Sequence, residues 1–146
     1  MESKLAAEHY VGYIDVNCIV SSNGVYPLEV TARFGYPTIS IQQEGMITPM
    51  GELLCKLAEG SLTRFKGRAG FQVGVRVVVP PFPFKDKETF ESNSKDALII
   101  FKRPNREGVH IEDVKTINDE WVVTGSSGVV LIVVGMGPTM RQAQKQ

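Results

Sequence analysis

Apolar and polar positions alternate over Ile14-Asp15-Val16-Asn17-Cys18 and again over Leu28-Glu29-Val30-Thr31-Ala32-Arg33. A period of two predicts strands with one apolar and one polar face. Between them stands Ser21-Ser22-Asn23-Gly24, and Asn-Gly at such a point is a hairpin signal. The pattern therefore predicts an antiparallel hairpin of Tyr13–Val20 with Val25–Ala32. A helix is predicted after Thr48, with Thr48 as N-cap, Pro49 at the first helical position and Gly60 closing the last turn. Leu53, Leu54, Leu57 and Ala58 form its apolar stripe. Glu2–His9 reads as a short helical stretch.

From Phe71 onward the pattern belongs to strands. Phe71–Val79 is ended by Pro80-Pro81-Phe82-Pro83. Short strands are predicted at Ala97–Phe101, Gly108–Val114 and Trp121–Thr124, with turns at Asn105, Asn118 and Gly125. Val129–Val134 is apolar at every position and reads as a central strand. Glycine and charge cluster between Gly60 and Gly70, which sets an expected boundary between residues 1–64 and 65–146. The expected class is α/β (α+β): a hairpin plus helix, then a small antiparallel β-rich domain. Trp121 is expected to lie buried between sheet and helix. Thr139–Gln146 starts a helix that stops short of the about 12–15 residues at which an isolated helix becomes marginal. Both ends read as cut, the alternative being a frayed terminal helix docked on the sheet.

With 42% apolar residues the chain can bury a core, and its sixteen basic and sixteen acidic residues cancel. That balance argues against a general nucleic-acid surface. Arg64, Lys66 and Arg68 cluster around Phe65 but read as a solvated loop. Cys18 and Cys55 have no C-x-x-C spacing, and with His9 and His110 they make no recognisable zinc set. Both cysteines are expected to be buried small hydrophobes. No signal peptide is expected from Met1-Glu2-Ser3-Lys4, and the longest apolar run is far too short to span a bilayer. A cytoplasmic, membrane-free setting is expected.

Glu29, Thr31 and Arg33, spaced two apart, are expected on one strand face, with Leu28, Val30 and Ala32 on the face covering a core. A carboxylate, a hydroxyl and a guanidinium in a row suit a divalent cation and phosphoryl oxygens. An ordinary solvated face explains the same spacing. The hairpin would lay Asp15 and Asn17 beside Glu29 and Thr31. For these two, further metal ligands and a merely wet strand face both stay open.

The string Glu29-x-Thr31-x-Arg33-Phe34-Gly35-x-Pro37 resembles the last catalytic strand of the ATP-grasp ligases. Its R-F-G-x-P ending is most similar to the phosphoribosylamine–glycine ligase family. Pro49–Gly60 resembles the helix that follows the motif. Trp121–Val134 with Gly135–Ala143 resembles the closing hairpin and helix of the family's C-terminal domain. The resemblance implies that residues 1–64 end an ATP-grasp domain and that residues 65–146 form a small C-terminal domain. It implies ATP and Mg²⁺ or Mn²⁺ as cofactors, glycine and phosphoribosylamine as small-molecule substrates, and purine biosynthesis as the setting. Glu29 and Thr31, with Asp15 and Asn17 from the neighbouring strand, would hold the metal. Arg33 would be catalytic, contacting phosphate or acyl-phosphate oxygens, and Gly35 would let the backbone approach the bound nucleotide.

The family usually has Asn at the position of Thr31, and Asp and Glu where Tyr36 and Thr38 flank the proline. Asp15 could offset Thr31. No G-x-x-x-x-G-K-[ST] loop or G-x-G-x-x-G is present, and Gly135-x-Gly137 is expected at a turn. The nucleotide-holding and substrate-binding parts are therefore expected in N-terminal regions missing from this chain, which alone should not turn over ATP. Another ATP-grasp ligase, or a non-catalytic binding or assembly module, is the alternative.

Overall fold

The computed structural model describes residues 2–61, 64–102, 104 and 106–146, so the turn expected at Asn105 lies outside the described residues. The chain forms two compact units, Met1–Ala69 and Gly70–Gln146.

The first unit contains α1 (Glu2–Ala7), the strands β1 (Asp15–Ser21) and β2 (Gly24–Thr31), then α2 (Thr38–Gly45) and α3 (Met50–Ala58). β1 and β2 pair antiparallel with Asp15 opposite Thr31, Asn17 opposite Glu29 and Ser21 opposite Gly24. The turn is thus centred on Ser22-Asn23, one residue earlier than Asn-Gly would place it, and Gly24 opens β2 at φ +148°. A bulge leaves Leu28 without a partner on β1, between Pro27 opposite Cys18 and Glu29 opposite Asn17. Val16, Val20, Val25, Leu28 and Val30 are all exposed. The face expected to cover a core is bare among the described residues.

Helix α3 starts at Met50, with Pro49 in the N-cap position and no side-chain cap. The expected cap, Thr48, is engaged elsewhere: its Oγ1 accepts a bond from the Lys66 backbone N–H at 3.0 Å. The C-terminal end follows expectation. Gly60 has φ +65°, its N–H donates to Leu57 O at 3.1 Å, and Ser61 N–H donates to Lys56 O at 3.0 Å. These two bonds make a Schellman motif, which favours glycine at that position. Of the apolar stripe only Leu53 is buried. Cys18 and Cys55 are both exposed, against expectation, because the hairpin and α3 leave their sides uncovered.

Helices α2 and α4 (Lys87–Asn93) carry no clear apolar period in T-I-S-I-Q-Q-E-G and K-E-T-F-E-S-N, so the hydrophobic pattern does not announce them. Helix α4 is instead set by its cap. Asp86 accepts bonds from Glu88 N–H and Thr89 N–H and from Thr89 Oγ1, and the Thr89 hydroxyl holds its carboxyl below the usual range.

The second unit is built on β7 (Val129–Gly137), the middle strand of a sheet ordered β3-β7-β4, with β3 at Phe71–Val78 and β4 at Val109–Ile111. β7 is apolar throughout its first half because both its faces are covered: Val130, Leu131, Ile132 and Val134 are buried. Phe90, Val123, Val130 and Leu131 form a core against which Val79, Ile99, Phe101, Val109 and Val114 pack. The stretch expected as one strand at Gly108–Val114 breaks at Glu112-Asp113. It gives β4 to the main sheet and β5 (Val114–Ile117) to a second hairpin with β6 (Glu120–Val123). Asn118 and Asp119 both have positive φ, the signature of a type I′ turn. Ala97–Phe101 runs beside β6 but makes only an isolated bridge, Leu98 to Val122.

The closing helix α5 (Met140–Lys145) lies against β7 and β3. Thr139 Oγ1 caps it by accepting from Gln142 N–H at 3.3 Å. Gly135 and Gly137 belong to β7 rather than to a turn, and a Cβ at either would run into the backbone of Ala143. The G-x-G pattern thus serves close helix–strand packing.

Trp121 is half-buried and not sealed between sheet and helix. Phe101 meets it edge-on at 5.5 Å, and the Arg106 guanidinium lies over its ring at 4.3 Å. Tryptophan emission should fall between buried and water-like values. Arg106→Ala should raise acrylamide quenching by uncovering one face of the indole; unchanged quenching would show that Arg106 does not shield the ring.

Candidate functional site

The hairpin brings four of the six candidate residues together. Alternation along β1 puts Asp15 and Asn17 on one face, and the register sets Thr31 and Glu29 directly opposite them. Asn17 Nδ2 donates to Glu29 Oε1 at 2.8 Å, which fixes the carboxylate and leaves its second oxygen unused by that bond. Val16 and Val30 share the other face. The bulge at Leu28 sits immediately before Glu29, where the extra residue re-aims the strand.

Two features converge on Asp15. Gly35 is buried, and a Cβ built there would stand 2.7 Å from Asp15 Oδ2. The glycine of R-F-G thus makes room for the Asp15 carboxylate, a contact between side chain and backbone that the sequence does not reveal. Opposite Asp15, the Thr31 Oγ1 is buried and has no hydrogen-bond partner among the described residues. An unpaired buried hydroxyl is disfavoured unless something else meets it.

Arg33 stands apart from these four. β2 ends at Thr31, so Arg33 does not continue the strand face, and its Nη1 donates to the Phe34 carbonyl at 2.9 Å. The turn that carries it is held by residues the pattern did not single out. The rings of Tyr13 and Phe34 pack at 4.6 Å between centroids, and Tyr13 OH donates to Gln42 Oε1 of α2 at 3.2 Å. Ile39 N–H donates to the Gly35 carbonyl at 2.8 Å, so α2 grows directly out of the R-F-G turn. The available signal was an aromatic residue flanking each end of the polar face. Tyr36 is exposed, and Thr38 opens α2.

Two carboxylates, an amide and an unsatisfied hydroxyl form an all-oxygen donor set of the kind a hard divalent cation takes. No group of three or more His, Cys, Asp or Glu side chains suited to a metal occurs among the described residues. With only two carboxylates, the set would leave most positions of such an ion to water or phosphate oxygens.

Comparison with known proteins bears on the whole chain. No family model matches it. The phosphoribosylamine–glycine ligase of Leifsonia xyli subsp. xyli (strain CTCB07) is 28% identical over 145 residues, covering 97% of this chain and 34% of that protein. The enzyme of the same name from Mycobacterium leprae (strain TN) is 29% identical over 139 residues, covering 92% of this chain and 30% of that one. The chain resembles phosphoribosylamine–glycine ligase. The crystal structure of that ligase from Thermotoga maritima superposes with a TM-score of 0.66 at 21% identity, over 90% of this chain and 31% of that chain. The mixed α/β fold with antiparallel sheets is thus shared with the ligase. The chain spans about a third of the length of the curated relatives it matches, and the C-terminal part of the ligase is the part that fits. No helix among the described residues is long and apolar enough to cross a membrane.

Proposed function

We propose that this chain is part of an ATP-dependent carboxylate–amine ligase of the phosphoribosylamine–glycine type. Residues 1–64 would close an ATP-grasp nucleotide site, and residues 65–146 would form the small domain that follows it. The observation that carries this is the hairpin face, on which Asp15, Asn17, Glu29 and Thr31 converge beside the cradle at Gly35.

In that reaction the terminal phosphate of ATP passes to the carboxylate of glycine, and ADP leaves. The amine nitrogen of phosphoribosylamine then attacks the acyl carbon, phosphate departs and a C–N bond is left. A divalent ion, when bound, would supply charge neutralisation for the transferring phosphate. Glu29 and Asp15 would hold it through their carboxylate oxygens, and Thr31 through its unsatisfied hydroxyl. Asn17 orients Glu29, so its first role is positioning. Arg33 keeps guanidinium N–H groups beyond the one bonded to Phe34, and these suit phosphoryl oxygens. Adenine and ribosyl recognition would come from elements outside these 146 residues, and the chain alone would not turn over ATP.

The test is a chimaera in which this chain replaces the matching third of the Mycobacterium leprae ligase. ADP release that depends on both glycine and phosphoribosylamine supports the reading. A folded chimaera that binds both substrates but releases no ADP favours a non-catalytic module on the same fold.

A further inference from the structure

The three cations around Phe65 are not part of the hairpin face and have a structural setting of their own. The segment that carries them is pinned to the chain between α2 and α3. Ile47 N–H and Thr48 N–H both donate to Lys66 O, at 2.9 and 3.2 Å, and Arg68 N–H donates to Gly45 O at 2.7 Å. Met46 and Gly67 form an antiparallel bridge. Arg64, Phe65, Lys66 and Gly67 border one open cavity together with Ile47. A Cβ at Gly67 would lie 3.8 Å from the Phe65 ring.

The charge is uncompensated. Lys56, Lys87 and Lys115 each pair with a carboxylate, whereas none of Arg64, Lys66 and Arg68 has an ion pair among the described residues. Arg64, Phe65, Lys66, Gly67 and Ile47 line an open cavity of about 390 Å³ that has no acidic residue in its wall. Phe65 and Ile47 expose more than half of their surface there, at 53% and 56%. The chain as a whole is neutral, so this local excess is not a by-product of a basic composition.

We infer that residues 64–68, with Ile47, form a second ligand site that takes a nucleoside polyphosphate. Three cations with no carboxylate paired to them among the described residues suit a ligand that carries several negative charges, such as a chain of phosphates, better than one with a single charge. Phe65 and Ile47 add apolar surface on which a planar base can rest. The site shares no residue with the hairpin face, and it stands or falls independently of the ligase reading.

The test is titration of the whole ¹⁵N-labelled chain with ADP in the absence of divalent metal, followed by backbone amide shifts. Shifts confined to residues 45–48 and 64–68 and weakened by added salt are expected. Arg64→Glu with Lys66→Glu should weaken ADP binding by about tenfold or more, the loss expected for charge-assisted hydrogen bonds. Phe65→Ala should weaken ADP but not tripolyphosphate, and Lys87→Glu, a charge reversal on exposed α4, should leave both unchanged. Shifts that map to residues 15–31, or equal binding in the double variant, would overturn the site. Tripolyphosphate matching ADP in every variant would overturn the nucleoside part, and a short oligothymidylate binding far more tightly than ADP would reassign the patch to single-stranded nucleic acid.

Discussion

Glu29→Gln in the chimaeric ligase should lower ADP release by about 10²–10³-fold at saturating substrates, the usual loss when one charge-stabilising contact is removed from a transition state. The substitution keeps the shape of the side chain, and the Asn17 amide can still bond to the remaining carbonyl oxygen, so the melting temperature should hold. Asp15→Asn should cost less than Glu29→Gln, since it removes the second carboxylate and leaves the Gly35 cradle filled. Thr31→Ala should cost least, since it takes a neutral hydroxyl from the ion where the other two take a charge. Arg33→Lys should be severe if the guanidinium fork meets phosphoryl oxygens, because lysine cannot reproduce two parallel donors. Near-normal turnover of Glu29→Gln with an unchanged melt would return the hairpin face to an ordinary solvated strand.

Ile132→Ala should destabilise the second unit by about 2–5 kcal/mol, the usual range for emptying a buried aliphatic site. Ile132 is 1% exposed, at the centre of β7, and is flanked by Arg76 on β3 and His110 on β4. A loss of that size is a large part of the about 5–15 kcal/mol that holds a typical domain folded. Urea unfolding followed by the fluorescence of Trp121, the single tryptophan of the chain, reads this unit directly. Val75→Thr is the matched control. Val75 is 57% exposed on β3, and its replacement should stay within about 0.5 kcal/mol of the parent. An unmoved midpoint for Ile132→Ala would show that β7 is not the centre of the unit.

The hairpin, α3 and its Gly60 end, β3, β6 and the central strand β7 were all legible in the sequence. Each rests on a local signal: a period of two, a positive-φ position, or an uninterrupted apolar run. The short helices α2 and α4 were not legible, because a helix of seven or eight residues with one or two apolar side chains leaves no period to read. Thr48 is a good N-cap by type, yet Lys66 N–H claims its hydroxyl, a pairing across 18 residues. The cysteines were misplaced for a related reason. Burial of a small apolar residue depends on what covers its strand or helix, and nothing among the described residues covers Cys18 or Cys55.

For the candidate site, residue types and spacing were enough to put Asp15 and Asn17 on one strand face and Glu29 and Thr31 on another, because alternation alone assigns side chains to faces; the resemblance to the ligases singled them out as a site. Register, and with it the pairing of Asn17 with Glu29 and of Asp15 with Thr31, was decided in three dimensions by the turn at Ser22-Asn23 and the bulge at Leu28. The end of β2 at Thr31 removed Arg33 from the face. The fold of the chain back onto β1 seated Asp15 against Gly35 and Tyr13 against Phe34. By itself the sequence determined which chemistry each strand face can carry, since that follows from side-chain type and a two-residue repeat. Only the tertiary structure decided which of those groups meet, since contact between distant residues depends on register, bulges and strand ends, and no local repeat encodes these.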